Sequence, residues 1–367
     1  MSGFPKMTSR ERVLATVKGA PVDRIASHFR AEPEVFEALR GRLGLADDEA
    51  VRRWAKSDIR DLSGICNTGG YGGYSLFGWR DRDCGDGEQE DFWGVRRRRV
   101  AYDGGAYVEI SRFPLSGAAP EQVLDYRFPD PRKIFDFGSL PERIQSLNRG
   151  AQRYFILMEG ESLFDRCWAL RGMEDFMMDL IDGNEAAEHL VEGNFRFFME
   201  FTRMILEAGK GEAAVDAIGL YNDLGTQGGA MISPAIYRKH FKERQRRLAA
   251  MIHGFGAKVF YHSCGNLLPM LPDLLEIGID ILDPLQLNAM KLSPSRLREL
   301  AGNEVTLHGG LDTQGLLVNG SPDDVRREAE TLKRELGRAG RYILSCSHYL
   351  QPDVPIANIQ AVVGAIG

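Results

Sequence analysis

His262 and Cys264 are the residues whose types and spacing most directly suggest chemistry in this chain. They stand two positions apart, after the apolar run 257–261. In a β-strand, positions i and i+2 project from the same face, so both side chains would leave the end of one strand together. Imidazole nitrogen and thiolate sulfur are ligands that zinc prefers, and a zinc site needs at least one more protein ligand. Cys346 and His348, which follow another apolar run, are the candidates for that third ligand.

The second half of the chain carries the elements that must position these residues. Apolar segments alternate there with amphipathic helical segments, which predicts βαβ units and a parallel sheet. Strands near Ile25 and Asp58 bring the total to eight, which predicts a single (β/α)8 TIM barrel spanning residues 1–367. A doubly wound open sheet is the alternative, but no Gly-rich dinucleotide loop follows an early strand. The six later strands are predicted at 154–158, 217–221, 258–261, 279–282, 305–307 and 342–344.

Residues 65–125 interrupt this pattern with an irregular, glycine-rich stretch. Strand-like pieces at 95–102 and 106–113 predict a β-hairpin, and the aromatic content argues against a disordered linker. The aromatic residues could line a pocket for an aryl ether or pack a cap over the barrel; they are Tyr71, Tyr74, Phe77, Trp79 and Trp93. Cys66 and Cys84 lie in this region without the spacing of a metal site.

Polar side chains follow the predicted strands at their carboxyl ends, where (β/α)8 enzymes place their active sites. The residues that follow the strands are Glu159, Glu161, Asn222, Asp223, His262, Cys264, Gln286, His308, Asp312, Cys346 and His348. Asp58 and Asp223 are strand-end carboxylates that could act as acid or base, orient a substrate, or cap a helix. Gln227, in the glycine-rich loop 224–229, could hydrogen-bond a ligand.

Composition excludes several classes of protein. A net charge of −6 argues against a nucleic-acid binder, and the run Arg96 to Arg99 reads as either a solvated surface or a contact for an anionic partner. No apolar stretch approaches the ~18–20 residues that cross a bilayer, so we expect no membrane partner. Five scattered cysteines and no secretory signal predict a cytoplasmic protein without a disulfide framework.

Several motifs in a fixed order give the chain a family resemblance. It resembles the uroporphyrinogen decarboxylase-like superfamily, which includes the decarboxylase of haem synthesis and zinc-dependent corrinoid methyltransferases. The resemblance implies a (β/α)8 barrel that is often dimeric, so a homodimer is expected. The motifs lie at 10–14, 21–24, 91–94, 222–227, 233–234, 261–266, 308–314, 348–355 and 358–359.

Two branches of this superfamily predict different chemistry. Arg30 is the only cation in the segment 27–33, where the decarboxylase gathers its substrate's carboxylates, and an octa-acid porphyrinogen needs several cationic contacts. Ser57-Asp58-Ile59 nevertheless resembles the decarboxylase's pyrrole-binding aspartate motif. The methyltransferase branch carries a His-x-Cys…Cys zinc motif, and His262-Ser263-Cys264 matches its first half.

The resemblance therefore implies a zinc-dependent methyltransferase that moves a methyl group between a small methylated substrate and a corrinoid protein. Cys346 is the expected third ligand and His348 its alternative, while Glu159, Glu161 or a substrate atom would take the fourth position. Asp223, Glu159 and Glu161 are expected to be catalytic; the expected substrate contacts are Asp58, Asn222, Gln227, His308 and His348. The alternatives are a metal-free, decarboxylase-like lyase acting on a tetrapyrrole or another carboxylated substrate, and a non-catalytic corrinoid- or tetrapyrrole-binding protein.

Overall fold

A computed structural model describes residues 6–62, 81–102 and 105–367 of the chain. Eight of its twelve strands form one parallel sheet in the order β1-β12-β11-β10-β9-β8-β7-β2, the nearly closed arrangement of a (β/α)8 barrel. The predicted fold class is confirmed. The strands are β1 (Ala26–Ser27), β2 (Ile59–Asp61), β3 (Arg82–Gly85), β4 (Glu88–Glu90), β5 (Arg96–Tyr102), β6 (Gly105–Arg112), β7 (Phe155–Glu161), β8 (Ala217–Tyr221), β9 (Lys258–His262), β10 (Ile281–Asp283), β11 (Thr306–His308) and β12 (Tyr342–Leu344).

The barrel closes between its first two strands through a seam of single hydrogen bonds. The amide of Asp58 donates to the carbonyl oxygen of Ser27 at 2.8 Å, and the amide of Phe29 donates to Ser57 Oγ at 3.0 Å. The hydroxyl of Ser27 donates to the carbonyl oxygen of Lys56 at 2.8 Å. These contacts replace the regular ladder that joins the other neighbouring strands.

Helices surround the sheet, and α1 covers its amino-terminal end. Val13 and Val17 of α1 pack against barrel-interior residues such as Phe155 and Phe260. The helices are α1 (Ser9–Val17), α2 (Pro33–Leu43), α3 (Asp48–Trp54), α4 (Pro120–Leu124), α5 (Pro131–Ile134), α6 (Leu140–Leu147), α7 (Leu163–Arg171), α8 (Met173–Asp182), α9 (Glu185–Ala208), α10 (Pro234–Tyr237), α11 (Glu243–Gly254), α12 (Leu271–Glu276), α13 (Leu287–Met290), α14 (Pro294–Ala301), α15 (Leu316–Asn319), α16 (Pro322–Leu336) and α17 (Ile356–Gly364). A π-helical turn, Arg238–Lys242, joins α10 to α11.

Successive side chains along a strand point to opposite faces of the sheet, and this produces two apolar cores. Phe155 and Leu157 of β7 point into the barrel, whereas Ile156 and Met158 point towards the helices. Both faces of such a strand are buried, which explains the unbroken apolar runs in the sequence. Apolar side chains and α1 fill the amino-terminal part of the barrel interior. The carboxyl end is therefore the part of the interior where polar side chains gather.

The region inserted after β2 contains the antiparallel sheet β3-β4-β5-β6. The predicted hairpin corresponds to β5 and β6, and two short strands extend it. The four consecutive arginines of β5 all face carboxylates: Arg96 with Glu90, Arg97 with Asp91, Arg98 with Glu109, and Arg99 with Glu34. The basic run is therefore paired within the chain.

Asp91 fastens this insertion to the barrel. Its carboxylate accepts from Arg97 at 2.7 Å and from Arg166 of α7 at 3.1 Å. Trp93 is buried, and its ring centroid lies 4.4 Å from that of Phe197, so this aromatic residue packs the insertion onto α9. The other aromatic residues considered as a pocket lining, together with Cys66, lie outside the described residues; they are Tyr71, Tyr74, Phe77 and Trp79.

Among the described residues, no helix is both long enough and apolar enough to cross a membrane.

Candidate metal and active site

Three side chains with metal-binding atoms meet at the carboxyl end of the barrel. Asp223 follows β8, His262 ends the neighbouring β9, and Cys264 stands two residues later; their ligand atoms lie within 4.8 Å of one another. His262 Nε2 is 3.6 Å from Cys264 Sγ and 3.8 Å from Asp223 Oδ1. The amide of Cys264 donates to Asp223 Oδ1 at 2.9 Å, which holds the carboxylate beside the thiol. We call these three residues the metal cluster.

Asp283, the last residue of β10, orients His262 from behind. Its Oδ2 lies 2.6 Å from His262 Nδ1. Because the ionised Asp283 accepts from Nδ1, the proton that His262 loses on binding metal is the one on Nε2, and the freed lone pair is directed at Cys264 and Asp223, the arrangement found behind many zinc-bound histidines. Burial opposes a charge on His262, but its hydrogen bonds to Asp283 and Cys264 raise the His262 pKa well above its usual value.

Asp283 is the centre of a larger buried array. Arg30 donates from Nη1 to Oδ2 at 2.8 Å and from Nη2 to Oδ1 at 2.7 Å, and His308 Nδ1 lies 2.6 Å from Oδ1. His308 Nε2 in turn lies 3.2 Å from His28 Nδ1. Burial would raise the Asp283 pKa, yet the charge of Arg30 and the hydrogen bonds from His262 and His308 hold it well below its usual range.

His308 was expected to bind substrate, and the structure corrects that expectation. The side chain is fully buried, and its two ring nitrogens face Asp283 and His28. Burial lowers the pKa of His308. Burial and then the neighbouring His308 ring lower the pKa of His28. His308 therefore belongs to the array behind the metal cluster. Sequence reasoning missed Asp283 and His28, although Asp283 obeys the same strand-end rule that identified His262.

Glu159 and His348 lie at the mouth within electrostatic reach of His262. Burial and then the charge of Asp61 raise the Glu159 pKa well above its usual value. Burial and then His262 lower the His348 pKa to about 4. Near neutral pH the His348 imidazole is therefore neutral, and burial favours the protonated form of the Glu159 carboxyl group. Asp61, which ends β2, was not identified from the sequence.

Glu161 and Asn222 do not reach the mouth. A bulge in β7 between Glu159 and Glu161 shifts the register against β8, and the Glu161 carboxylate faces Gln245 of α11, whose Nε2 lies 3.5 Å from Oε2. Its carboxylate accepts from the amide of Leu163 at 2.5 Å and from Asn222 Nδ2 at 2.8 Å, and the amide of Phe164 donates to Asn222 Oδ1 at 2.8 Å. Burial raises the Glu161 pKa to about 7. The catalytic role expected for Glu161 and the substrate contact expected for Asn222 conflict with this placement.

Asp58 lies at the opposite end of the barrel from the metal cluster. It precedes β2, and its carboxylate accepts from Arg12 at 2.6 Å, from Arg24 at 2.8 and 2.9 Å, and from the amide of Ser27 at 3.0 Å. The expected substrate contact is therefore wrong, because Asp58 marks the start of a strand and not its end. We call Asp58 with Arg12 and Arg24 the amino-end cluster.

Cys346 lies outside the metal cluster. It pairs with Leu311 through an isolated β-bridge and is buried in the apolar core between strands and helices. Burial raises the pKa of its thiol to about 12. The geometry thus brings Asp223, and neither Cys346 nor His348, next to His262 and Cys264.

Gln227 stands at the rim, where a ligand contact remains a prediction. Its Nε2 lies 3.4 Å from Gln286 Oε1, which accepts from the amide of Gly265 at 2.8 Å. Both glutamines line a cavity of about 270 Å³ beside the Cys264 loop. Asp312, at the same cavity, accepts from the amides of three following residues and thereby stabilises its own turn.

Known proteins resemble the chain in fold and in part of its sequence. A methylated-thiol–coenzyme M methyltransferase of Methanosarcina mazei is 24% identical over 258 residues, 69% of this chain and 65% of that protein. A uroporphyrinogen decarboxylase of Thermus thermophilus is 29% identical over 135 residues, 37% of each chain. The chain thus spans less than two thirds of either relative. A solved methyltransferase structure from Methanosarcina mazei has a TM-score of 0.68 over 98% of both chains at 17% identity, which shows a shared fold.

The family assignment rests on the carboxyl-terminal part of the barrel. The family model for uroporphyrinogen decarboxylase (URO-D) matches residues 162–367, more than half of the chain and the part that carries the metal cluster. The superfamily predicted from the motifs is thereby confirmed. The chain belongs to the uroporphyrinogen decarboxylase (URO-D) family.

Proposed function

We propose that the protein is a zinc-dependent methyltransferase that moves a methyl group between a small methylated substrate and a corrinoid carried by a partner protein. The observation that carries the proposal is the metal cluster of Asp223, His262 and Cys264 with Asp283 behind it. The methyltransferase among the relatives supports the reaction class. A cytoplasmic location and a homodimer remain expectations.

The donor set of the metal cluster fits zinc. One thiolate, one imidazole nitrogen and one carboxylate oxygen are close enough to share an ion, and catalytic zinc sites use three protein ligands and keep one place open. The hydrogen bond from His262 Nδ1 to Asp283 leaves Nε2 free to bind. We therefore assign Asp223 as the third ligand in place of the expected Cys346.

The surrounding residues can support methyl transfer. When bound, zinc would stabilise a substrate thiol as the thiolate, or polarise the oxygen of a methyl ether so that the alkoxide or phenolate departs more easily. Asp283 keeps the His262 ring in one orientation. Burial favours the protonated form of the Glu159 carboxyl group, which could then donate a proton to the oxygen or sulfur left after the methyl group departs. The neutral His348 can accept a hydrogen bond from the substrate.

The lyase alternative named Asp58 or Asp223 as the residue that orients the substrate, and it loses the first of the two, while Asp223 lies at the mouth. Asp58 is enclosed by Arg12 and Arg24 far from the mouth. Both terminal nitrogens of Arg30 are bonded to Asp283, so they are not offered to substrate carboxylates. The non-catalytic alternative is tested by turnover itself.

Zinc analysis combined with turnover tests the proposal. We expect about one zinc per chain, and methylation of reduced cobalamin by at least one donor among methanol, methyl thiols and aryl methyl ethers. Cys264→Ala should lose both zinc and turnover, while Cys84→Ala, outside the metal cluster, should keep both. A protein without zinc whose turnover survives Cys264→Ala would refute the proposal.

The ligand choice needs its own comparison. We expect Asp223→Ala to release zinc, whereas Cys346→Ala and His348→Ala should retain it, since neither side chain belongs to the metal cluster. Zinc content of the folded variants decides the matter. Retention in Asp223→Ala with release in Cys346→Ala would restore the ligand set expected from the sequence.

A further inference from the structure

We propose that Arg30 is a positioning residue for the metal ligand His262, acting through Asp283. The inference rests on the zinc site of the proposed function. Arg30 is the only cation in the segment 27–33, and the inference assigns it a role other than binding substrate carboxylates.

The four hydrogen bonds to Asp283 carry this inference. Each carboxylate oxygen accepts one bond from Arg30 and one from an imidazole, His262 on Oδ2 and His308 on Oδ1. A guanidinium that binds both oxygens fixes the plane of the carboxylate, because its paired donors match the two acceptors. The direction of the Oδ2 lone pairs, and with it the orientation of the His262 ring, is therefore set by Arg30.

Burial makes this dependence strong. The side chains of Arg30 and Asp283 are 4% and 0% exposed, so bulk water does not compete with the guanidinium for the carboxylate. Arg30 also balances the charge of a carboxylate that would otherwise be poorly solvated. His262 adopts the orientation that points Nε2 at Cys264 and Asp223 only while Asp283 keeps its place.

The chain provides a matched control. Arg12 is another buried arginine that binds a fully buried carboxylate, that of Asp58, at the other end of the barrel. Replacing either arginine removes a buried ion pair, but only Arg30 is linked to the metal cluster. A difference in zinc affinity between the two variants therefore reports positioning and not general damage.

Zinc affinity tests the inference without relying on activity. For Arg30→Met we expect about 10- to 100-fold weaker zinc binding in competition with a chromophoric chelator, the size found when partners of metal-bound histidines are lost. The cobalt-substituted variant should also show an altered visible absorption spectrum. Arg12→Met should bind zinc like the parent protein, even if its unfolding midpoint falls.

A second variant covers the case in which Arg30→Met does not fold. Arg30→Lys keeps the positive charge but cannot bind both oxygens in the same plane, so we expect about 10-fold weaker zinc binding and a changed cobalt spectrum. Parent-like affinity in Arg30→Lys would overturn the inference, as would equal losses in the Arg12 and Arg30 methionine variants. Absence of zinc from the parent protein would instead refute the proposed function itself.

Discussion

Two buried carboxylates, Asp58 and Asp283, occupy opposite ends of the barrel and have different partners. Asp58 in the amino-end cluster is bound by two arginines and a backbone amide. Asp283 is bound by one arginine and two imidazoles. Guanidinium groups have no lone pair to offer, so the amino-end cluster can only hold the fold together. An imidazole that uses one nitrogen on a carboxylate still offers the other, and this gives the Asp283 array access to chemistry.

The largest expected effect separates stability from metal binding. Asp58→Ala leaves Arg12 and Arg24 without their shared carboxylate in a buried site, which should lower the free energy of unfolding by about 3–5 kcal/mol. Urea unfolding measures this loss, and the folded variant should retain its zinc. Release of zinc from folded Asp58→Ala would show that the two ends are not independent.

Two glycines that flank β9, Gly256 before it and Gly265 after it, sharpen the comparison between the two ends of the barrel. A Cβ at Gly265 would lie 2.4 Å from the carbonyl carbon of Gly225, and its φ is +81°. Gly256 has a similar φ of +82°, but a Cβ there meets no atom within 4 Å. Gly265→Ala should therefore cost about 3 kcal/mol and weaken zinc binding, because backbone next to Cys264 must move.

Gly256→Ala is the matched control for this prediction. It adds the same methyl group in the same backbone conformation, without a clash, and should cost about 1 kcal/mol while zinc binding is unchanged. Thermal unfolding and chelator competition give the two quantities. Equal zinc affinity in both variants would mean that the approach of the two loops does not hold Cys264 in place.

The pH dependence of zinc binding probes the carboxyl end alone. Burial raises the pKa of Cys264. Burial opposes a charge on His262, but the hydrogen bonds of His262 to Asp283 and Cys264 outweigh it and raise the His262 pKa. Both groups must lose their protons to bind metal, so zinc affinity should fall as pH falls, by about tenfold per pH unit for each proton displaced. Chelator competition between pH 6 and 8 measures the slope. An affinity independent of pH would argue against this ligand pair.

The last prediction concerns acid stability at the amino end of the barrel. A hydrogen bond from Arg12 is the main cause that lowers the Asp23 pKa to about 2. The stabilisation is fully present above the unfolded pKa of roughly 3.9 and is lost as pH falls through the folded value. Asp23→Asn should lower the free energy of unfolding by about 2 kcal/mol at pH 7, and the difference from the parent should shrink below pH 4. Urea unfolding across pH 7 to 3 tests this; a constant difference would exclude the linkage.

The sequence was sufficient for the barrel and for three side chains of its mouth. Apolar runs located the later strands, and His262, Cys264 and Asp223 follow two of them directly. Asp58 was misplaced because β2 has only three residues, so nothing in the sequence distinguishes its start from its end.

Another error arose from the expectation that polar residues following a strand lie at the mouth. This expectation fails for Glu161, because a bulge lies between Glu159 and Glu161. The contact between Arg30 and Asp283 joins residues 253 positions apart, and no local pattern announces such a pair. Sequence reasoning therefore identified the three residues of the metal cluster and missed Arg30 and Asp283 as the residues that orient His262.

The seam between β1 and β2 is a weak point in the wall of the barrel. The segment that follows β1 carries His28 and Arg30, so the strand that closes the barrel also supplies part of the Asp283 array. Because single hydrogen bonds hold this edge, we expect its amides to exchange with deuterium sooner than those of the central strands. The other edge of β1 stays bonded to β12, and the amide of Leu350 donates to the carbonyl oxygen of Arg30, so an opening of the seam would separate β2 from β1 and leave Arg30 on Asp283.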